Sequence, residues 1–399
     1  MNDIYDTLII GSGPGGLSAA IYAGRSGLHT LLIEKAHLGG RINDTAEICN
    51  YPGILIDSGE GLIRRFKKHV ESFPSVQFLR STIKDIRRQG DIFEVVTKRK
   101  GSLFTHSVIL ASGNRPRSTG IAAESTFAGR GVSYCATCDG EFFKGKAIHV
   151  LGAGDQATEE ADWLTRYARK VTVIAIHEEN HLDCNQLAFE KAMNNPRIEF
   201  IWNSTLHDIK GGERVESLVL ENVHTGEMST IASEGIFLFI GTLPQNEYIP
   251  GWIARDRHGY ILTNTRMETN VPGVYAVGDL RNTPLRQVIT AAADGAIAAV
   301  NAEHYLQEAS EMASLLKSHH GVLSVIFWDP YDCAQQHLLP AVEKTLKKNG
   351  HVQRIDITRH DLLLRQLGLT TTPALARYLD GQLLNVEIIP LPVSVSISA

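Results

Sequence analysis

Cys135–Ala136–Thr137–Cys138–Asp139 is the stretch of this 399-residue chain best equipped to do chemistry. Two-residue spacing lets the two sulfurs close a small disulfide ring. Placement at a helix start would favour the thiolate of one of them near neutral pH. Asp139 is then a candidate acid/base that protonates a leaving thiolate, which makes Cys135, Cys138 and Asp139 the candidate catalytic residues. Zinc takes four ligands, and the chain has no second cysteine pair to supply them. His177, His181, His319 and His320 form no ligand set either, so no metal is expected. Five sparse cysteines in a chain of this length are not a disulfide framework, and a Cys-x-x-Cys in such a setting reads as redox. Cys49, Cys184 and Cys333 read as small buried or half-buried residues.

Such a dithiol needs a scaffold and an electron carrier, and the chain supplies signals for both. Residues 6–10 form an apolar strand. Gly11–Ser12–Gly13–Pro14–Gly15–Gly16 follows, then a small-residue helix to about residue 26, and a strand over 30–34. In this Gly-x-Gly-x-x-Gly turn, Gly11 permits the tight bend, Gly13 lets backbone approach a pyrophosphate, and Gly16 lets helix pack on strand. The helix N-terminus meets the phosphate charge, and Glu34 is placed to accept a ribose 2′-hydroxyl. A second βαβ unit starts at 146–151, continues through Gly152–Ala153–Gly154–Asp155–Gln156–Ala157 and a helix to about 167, and ends in a strand over 170–176. Two mononucleotide units imply two α/β lobes. The segment 273–279 and a small-residue helix over 287–300 return to the first lobe, so the second is inserted.

Composition is that of an ordinary globular enzyme. The net charge of −5 counts against a broad nucleic-acid surface, and no apolar run reaches the length of a membrane span. The N-terminus leads straight into a strand without a basic region or cleavage site, which reads as cytoplasmic.

Two further segments, the strand running into Ala111–Ser112–Gly113 and the pair Gly278–Asp279 followed by Arg286–Gln287–Val288, complete a pattern. With Gly39–Gly40, Asn50–Tyr51–Pro52–Gly53 and the dithiol in the same order and spacing, the first 300 or so residues resemble the bacterial-type, low-molecular-weight thioredoxin reductases. The resemblance implies FAD held by Gly11, Gly13, Pro14, Gly15, Gly16, Glu34, Gly40, Arg41, Asn50, Ala111, Gly113, Gly278, Asp279, Arg286, Gln287 and Val288. Asp279 would bind the ribityl chain, Arg286–Val288 the isoalloxazine, and Asn50 would lie near the ring. It makes Cys138 the flavin-proximal thiol and Cys135 the interchange thiol. It further implies a homodimer acting on a thioredoxin-like protein or a small disulfide or dithiol. Arg41 departs from the family, which often has Gln there.

The pattern breaks at the second nucleotide site. Gly152, Gly154, Asp155, Gln156 and Ala157 keep a turn and helix dipole for a pyrophosphate. The following strand, however, ends in His177–Glu178–Glu179–Asn180–His181–Leu182–Asp183, with no Arg or Lys between Lys170 and Lys191. A 2′-phosphate is ordinarily met by guanidinium pairs, and three acids would repel it, so NADPH is not the expected donor. NADH with Glu178 or Glu179 on a free 2′-hydroxyl, a second FAD as in diflavin-linked relatives, or an empty slot with ferredoxin as donor as in pyridine-nucleotide-independent relatives all remain open. So does reversed flow, as a dithiol oxidase passing electrons to oxygen.

After Tyr305 the composition shifts. Residues 321–328 are a buried-strand pattern, 340–348 a helix, 352–357 a strand, and Thr372–Pro373 precedes another strand. Residues 325–335 are similar to a thioredoxin active-site segment, Thr372–Pro373 to that family's cis-proline and Asp380–Gly381 to its hairpin. Yet Asp332 and Gln335 stand where the cysteines belong, and the last helix is missing.

The expected architecture is therefore α/β: two Rossmann-like three-layer dinucleotide-binding domains, the second inserted in the first, plus a truncated thioredoxin-like C-terminal domain. The domains would span 1–115 with 244–308, then 116–243, then 315–399. The expected function is that of an FAD-dependent disulfide or dithiol oxidoreductase whose third unit docks, dimerises or covers. The non-enzyme alternative is a flavin-bound docking or regulatory protein with blocked partner access.

Overall fold

The computed structural model describes residues 4–391 except Ala46, Glu47, Cys49, Arg359, Asp361, Leu362, Arg365 and Gln366, and except the side chains of Asp44, Thr137 and Cys138. A seven-stranded sheet holds strands Val76–Arg80, Thr30–Glu34, Ile4–Ile10, Gly101–Leu110, Ile92–Thr97 and Ile83–Gln89 in that order, with Val274–Ala276 pairing parallel to Gly101–Leu110. Ile4–Ile10 lies parallel to both its neighbours, with Ile9 opposite Leu32 and Ile109. Its apolar run is continuous because both faces are covered. Ile9 packs with Leu17, Ala20 and Ala299 on one side, while Leu8 and Ile10 pack with Phe93, Val108 and Ile261 on the other.

The helix Pro14–Arg25 starts three residues earlier than expected, because Pro14 fits the first helical turn, where no N–H partner is required. It packs against the helix Val288–Ser318. The two backbones approach so closely that a Cβ at Gly295 would lie 2.0 Å from the Gly15 carbonyl oxygen, and Ser18 Oγ donates to Ala292 O at 2.6 Å.

A second, all-parallel sheet orders Ile198–Ile201, Lys170–Ile174, Ala147–Leu151, Ile236–Leu238 and Val132–Ser133. A three-stranded antiparallel sheet, Ser204–Gly211, Val215–Asn222 and Met228–Ala232, packs beside it. The chain leaves the first sheet and returns to it through one short antiparallel pair, Asn114–Pro116 with Thr242–Pro244.

The third sheet orders His351–Asp356, Val322–Trp328, Ala374–Leu379 and Gln382–Ile388, the first pair parallel and the others antiparallel. The Thr372–Pro373 bond is cis. Two further helices differ from the sequence reading. The small-residue helix and the polar stretch after Tyr305 are one 31-residue helix, and its Met312 is buried with Val325, Phe327 and Ala376 of the third sheet. The helix expected from residue 340 begins at Cys333, with Pro340 inside it. Asp332 starts it early by accepting from the N–H groups of Ala334 and Gln335 at 2.8 and 3.2 Å.

His149 lies in the strand Ala147–Leu151, buried, with Nδ1 2.8 Å from Ser233 Oγ. Burial, aided by Lys170, pushes its pKa down to about 4. Unfolded histidine titrates near ~6.5, so from there down to the folded value the unfolded chain binds a proton that the folded one refuses. The neutral imidazole therefore costs nothing above that window, and stability is lost as pH falls through it. Denaturant titrations at pH 7 and 4.5 should show this group costing on the order of 2 kcal/mol at the lower pH. The difference should shrink in His149→Gln; an equal pH slope in the variant would refute the assignment.

Candidate active site

Between the first and second sheets lies a cavity of about 1830 Å³. Its floor is the glycine turn. Gly11 has φ +104°, and a Cβ there would lie 2.3 Å from Ala111 O; at Gly16 it would lie 1.9 Å from Gly11 O. Strand, turn and helix thus close only over glycine. At Gly13 the nearest atom to a Cβ is 3.8 Å away, so the protein leaves open the space where a phosphate would approach backbone. Gly11, Gly13, Pro14, Gly15, Glu34, Gly40, Arg41, Asn50, Ala111, Gly113, Gly278, Asp279, Arg286, Gln287 and Val288 all line this cavity. Gly16 does not line it and acts through packing.

Glu34 closes the turn by accepting from Ser12 N and Oγ at 2.9 and 2.8 Å and from Ala36 N at 3.0 Å. Asn50 Nδ2 donates to Gln287 Oε1 at 3.1 Å, joining residues 237 positions apart. Gln287 in turn caps the long helix in a reciprocal box with Thr290. Burial pushes the Asp279 carboxyl up, against the pull of Arg41 and Arg286 and a hydrogen bond from Asn114. Arg41 Nη1 donates to Asn114 Oδ1 at 2.6 Å, and the Arg286 guanidinium sits 4.5 Å from the Tyr260 ring centroid.

Two positioning residues were missed by the sequence reading. Asn114 bridges Arg41 and Asp279. Asp294, buried in the long helix, accepts from Gly278 N at 3.0 Å and pairs with Arg281 at 2.7 Å. An acid set within the alanine-rich first turns of that helix was the available signal for the second.

Cys135 is disulfide-bonded and lines the same cavity; the Cys138 side chain lies outside the described residues. Ala136–Asp139 is a single helical turn, with Asp139 N donating to Cys135 O at 3.2 Å. Beside it, Tyr134 donates to Glu124, a carboxylate only 3% exposed that also accepts from Ser118 Oγ at 2.9 Å, from Thr119 N at 2.7 Å and from Thr119 Oγ1. Burial raises the Glu124 pKa, but these bonds outweigh it and hold the group below the usual carboxylate range. Glu160 faces the cavity with a buried Oε2 that has no hydrogen-bond partner. Burial and Glu159 push its pKa up to about 7 against the pull of Arg41.

A smaller cavity of about 390 Å³ is lined by Gly152, Gly154, Asp155, Gln156, Ala157, His177 and Asp183, among others, and meets the large one at Asp155, Gln156 and Gly241. Gly152, at φ +144°, would place a Cβ 2.3 Å from Phe239 O. Glu178 is not among the lining residues; Asp183 is, because its N–H donates to Ala153 O at 2.8 Å and folds the segment over the turn. His177 pairs with Asp183 at 3.0 Å. No Lys or Arg is among the described residues lining this cavity.

In the third unit, Gln335 Nε2 donates to Asp332 Oδ2 at 2.9 Å and to Thr372 Oγ1 at 3.1 Å, and Gln335 Oε1 accepts from Asp329 N at 2.9 Å. The two positions where thioredoxin-like cysteines were sought are thus hydrogen-bonded to each other. Cys333 is exposed and free, Cys184 is half-buried and free, and Cys49 lies outside the described residues. Among the described residues no cluster of three His, Cys, Asp or Glu could hold a metal, and no helix is long and apolar enough to cross a membrane.

The family model described as pyridine nucleotide-disulphide oxidoreductase matches residues 5–295. The chain belongs to that family. It is accordingly an enzyme, a flavin-dependent disulphide oxidoreductase on Rossmann-type folds. Within the family it is 44% identical to the thioredoxin reductase of Peptoclostridium acidaminophilum over 314 residues, 77% of this chain and 98% of the relative. It is 39% identical to that of Bacillus subtilis (strain 168) over 315 residues, 79% and 98% of the two chains. Among solved structures, Lactococcus lactis thioredoxin reductase in its FR conformation matches with a TM-score of 0.72 at 39% identity, covering 76% of this chain and 99% of that one. The reductase of T. acidophilum matches with 0.68 at 30%, covering 77% and 99%. The family match ends at residue 295, before the third sheet begins.

The glycine cradle yields a direct test. Gly11→Ala adds a Cβ at a left-handed backbone position and against Ala111 O. The variant should purify colourless or strongly depleted in flavin absorbance, whereas the unaltered protein should be yellow. Full flavin retention would show that the turn does not shape the site.

Proposed function

We propose that this chain is a thioredoxin-reductase-type enzyme that moves electrons between FAD and the Cys135/Cys138 dithiol, and on to a thioredoxin-like protein or a small disulfide. The observation that carries this reading is that disulfide-bonded Cys135 opens onto the cavity floored by the glycine cradle. The residues present fit FAD: a turn that admits backbone approach at Gly13, a helix N-terminus above it, and Glu34, Asp279 and Arg286 along the walls. When bound, FAD would accept electrons from a donor and pass them on in pairs to the disulfide, a relay no side chain here provides. The Arg286–Val288 strip, fixed by the Asn50–Gln287 bond and the helix cap, would orient the ring. By the family resemblance Cys138 would be the flavin-proximal thiol, Cys135 would exchange with the partner disulfide, and Asp139 would hold the proton. The reading divides the chain into an FAD domain (1–115 and 244–308), an inserted dithiol domain (116–243) and a redox-inert thioredoxin-like docking unit (315–399), in a cytoplasmic homodimer.

The donor follows from charge. The small cavity keeps its pyrophosphate turn, the acid of the post-strand segment that lines it is Asp183, and the one basic residue among its described lining residues, His177, is already paired with that acid. NADPH is therefore not the ordinary donor. An adenine dinucleotide with a free 2′-hydroxyl, NADH or a second FAD, suits the acids better, and a one-electron donor such as ferredoxin needs no slot.

Two experiments test the reading. With the flavin oxidised, Cys135→Ser should keep a long-wavelength band from the Cys138 thiolate beside it, and Cys138→Ser should lose that band. The opposite result would exchange the two roles, and no effect in either variant would remove the pair from the redox path. In anaerobic stopped-flow, NADPH should reduce the flavin no faster than NADH, with both slower than reduced ferredoxin. Asp183→Arg should shift the NADPH/NADH rate ratio toward NADPH by about tenfold through a charge-assisted contact. Fast, saturable reduction of the unaltered protein by NADPH would refute this part.

A further inference from the structure

Next to the dithiol stands a hydroxyl that the mechanism above leaves unused. Ser133 ends the strand Val132–Ser133, is 3% exposed, and is registered against Phe237 in the five-stranded sheet. Its Oγ lies 2.6 Å from Asp139 Oδ2 and 3.2 Å from Cys135 O, and it accepts from Cys135 N at 3.1 Å. A serine hydroxyl has one proton to donate. The carboxylate is the nearer acceptor and the charged one, so the proton goes to Asp139. One oxygen, anchored in the sheet, thereby ties the N–H of Cys135 to the carboxylate of Asp139. Among the described residues Ser133 is the side chain that hydrogen-bonds Asp139. Among the described residues Asp139 is otherwise held through its backbone, by its N–H on Cys135 O.

Resting on the reading that Asp139 carries the proton of the dithiol chemistry, we propose that Ser133 is a positioning residue, whose hydroxyl fixes the Asp139 carboxylate and Cys135 in one mutual geometry. Opening the disulfide breaks one S–S bond and takes up two electrons and one proton, leaving one thiolate and one thiol. The electrons come from the reduced flavin of the established activity. The proton comes from Asp139, which is recharged from solvent, and closing the disulfide returns it. A carboxylate free to rotate would spend most of its time away from the leaving sulfur, and the hydroxyl prevents this at no cost in charge.

The test follows the thiolate–flavin band by rapid mixing after two-electron reduction with dithionite, in full-length protein carrying its flavin. Ser133→Ala should slow formation of the band by about tenfold, the effect of one hydrogen bond to a charged group, with flavin content unchanged. Ser133→Thr keeps the hydroxyl and should stay within about twofold of the unaltered protein. Asp139→Asn should be slower than Ser133→Ala, and adding Ser133→Ala to it should change nothing further, because both act through one contact. If the alanine variant does not fold, Ser133→Val against its isostere Ser133→Thr makes the same comparison. Ser133→Ala at full speed, Ser133→Thr as slow as Ser133→Ala, or an equal slowing in the Asp139→Asn background would each overturn the proposal. Asp139→Asn at full speed would overturn the proton-carrier reading along with it, whereas a slow Asp139→Asn beside a fast Ser133→Ala removes only the role of Ser133.

Discussion

Strand, turn and helix can approach this closely only where the backbone carries no Cβ. The 1.9 Å gap at Gly16, the 2.3 Å gap at Gly11 and the 2.0 Å gap at Gly295 are one constraint seen three times. The first two pull the N-terminus of Pro14–Arg25 onto the ends of strands Ile4–Ile10 and Gly101–Leu110. The third seats Val288–Ser318 against that helix, and so brings the Gln287 cap and Val288 to the same cavity. The floor and one wall of the site therefore share a packing cause. A side chain at any of the three positions would separate elements that the hydrogen bonds around Asp279 and Gln287 need together.

The dithiol side is organised differently, by hydroxyls and carboxylates rather than by close packing. A buried ionised carboxylate is costly unless its lone pairs are satisfied. Glu124 meets that cost with four donors from Ser118, Thr119 and Tyr134. Ser118 and Thr119 lie two and three residues beyond the crossing strand Asn114–Pro116, and Tyr134 adjoins Cys135, so one buried charge fastens the crossover to the redox turn. Replacing Glu124 by an apolar residue would spare the charge but leave those donors unpaired.

Much of this was legible in the sequence because it is local. The glycine turn, the Cys-x-x-Cys-Asp run and the acids after residue 176 carry their chemistry within a few positions, and sequence spacing reports that directly. Long-range partners were not legible. Asn114 reaches Asp279 across 165 positions, and nothing in the neighbourhood of either residue announces the other. At the second site the acid that lines the cavity is Asp183 rather than Glu178. Backbone pairing of Asp183 with Ala153, not side-chain type, decides which acid turns inward. Helix limits failed for a related reason. Pro340 looked like a start, but the Asp332 cap had already begun the helix, and the removed N–H falls beyond the first turn.

In the third unit a hydrogen bond stands at the two positions where a thioredoxin-like dithiol was expected from the sequence. Where a dithiol would close a covalent link between the loop and the first turn of Cys333–Leu346, the Asp332–Gln335 hydrogen bond spans the same positions, and Gln335 extends it to Thr372. Such a link holds shape but has no electrons to exchange. The unit is also not on a tether. Met312, Leu315 and Leu316 of the long helix complete its core, and the other end of that unbroken helix is capped by Gln287 at the cavity wall. A helix of this length spans about 46 Å, so continuous helix rather than a flexible linker joins the third sheet to the wall of the active site.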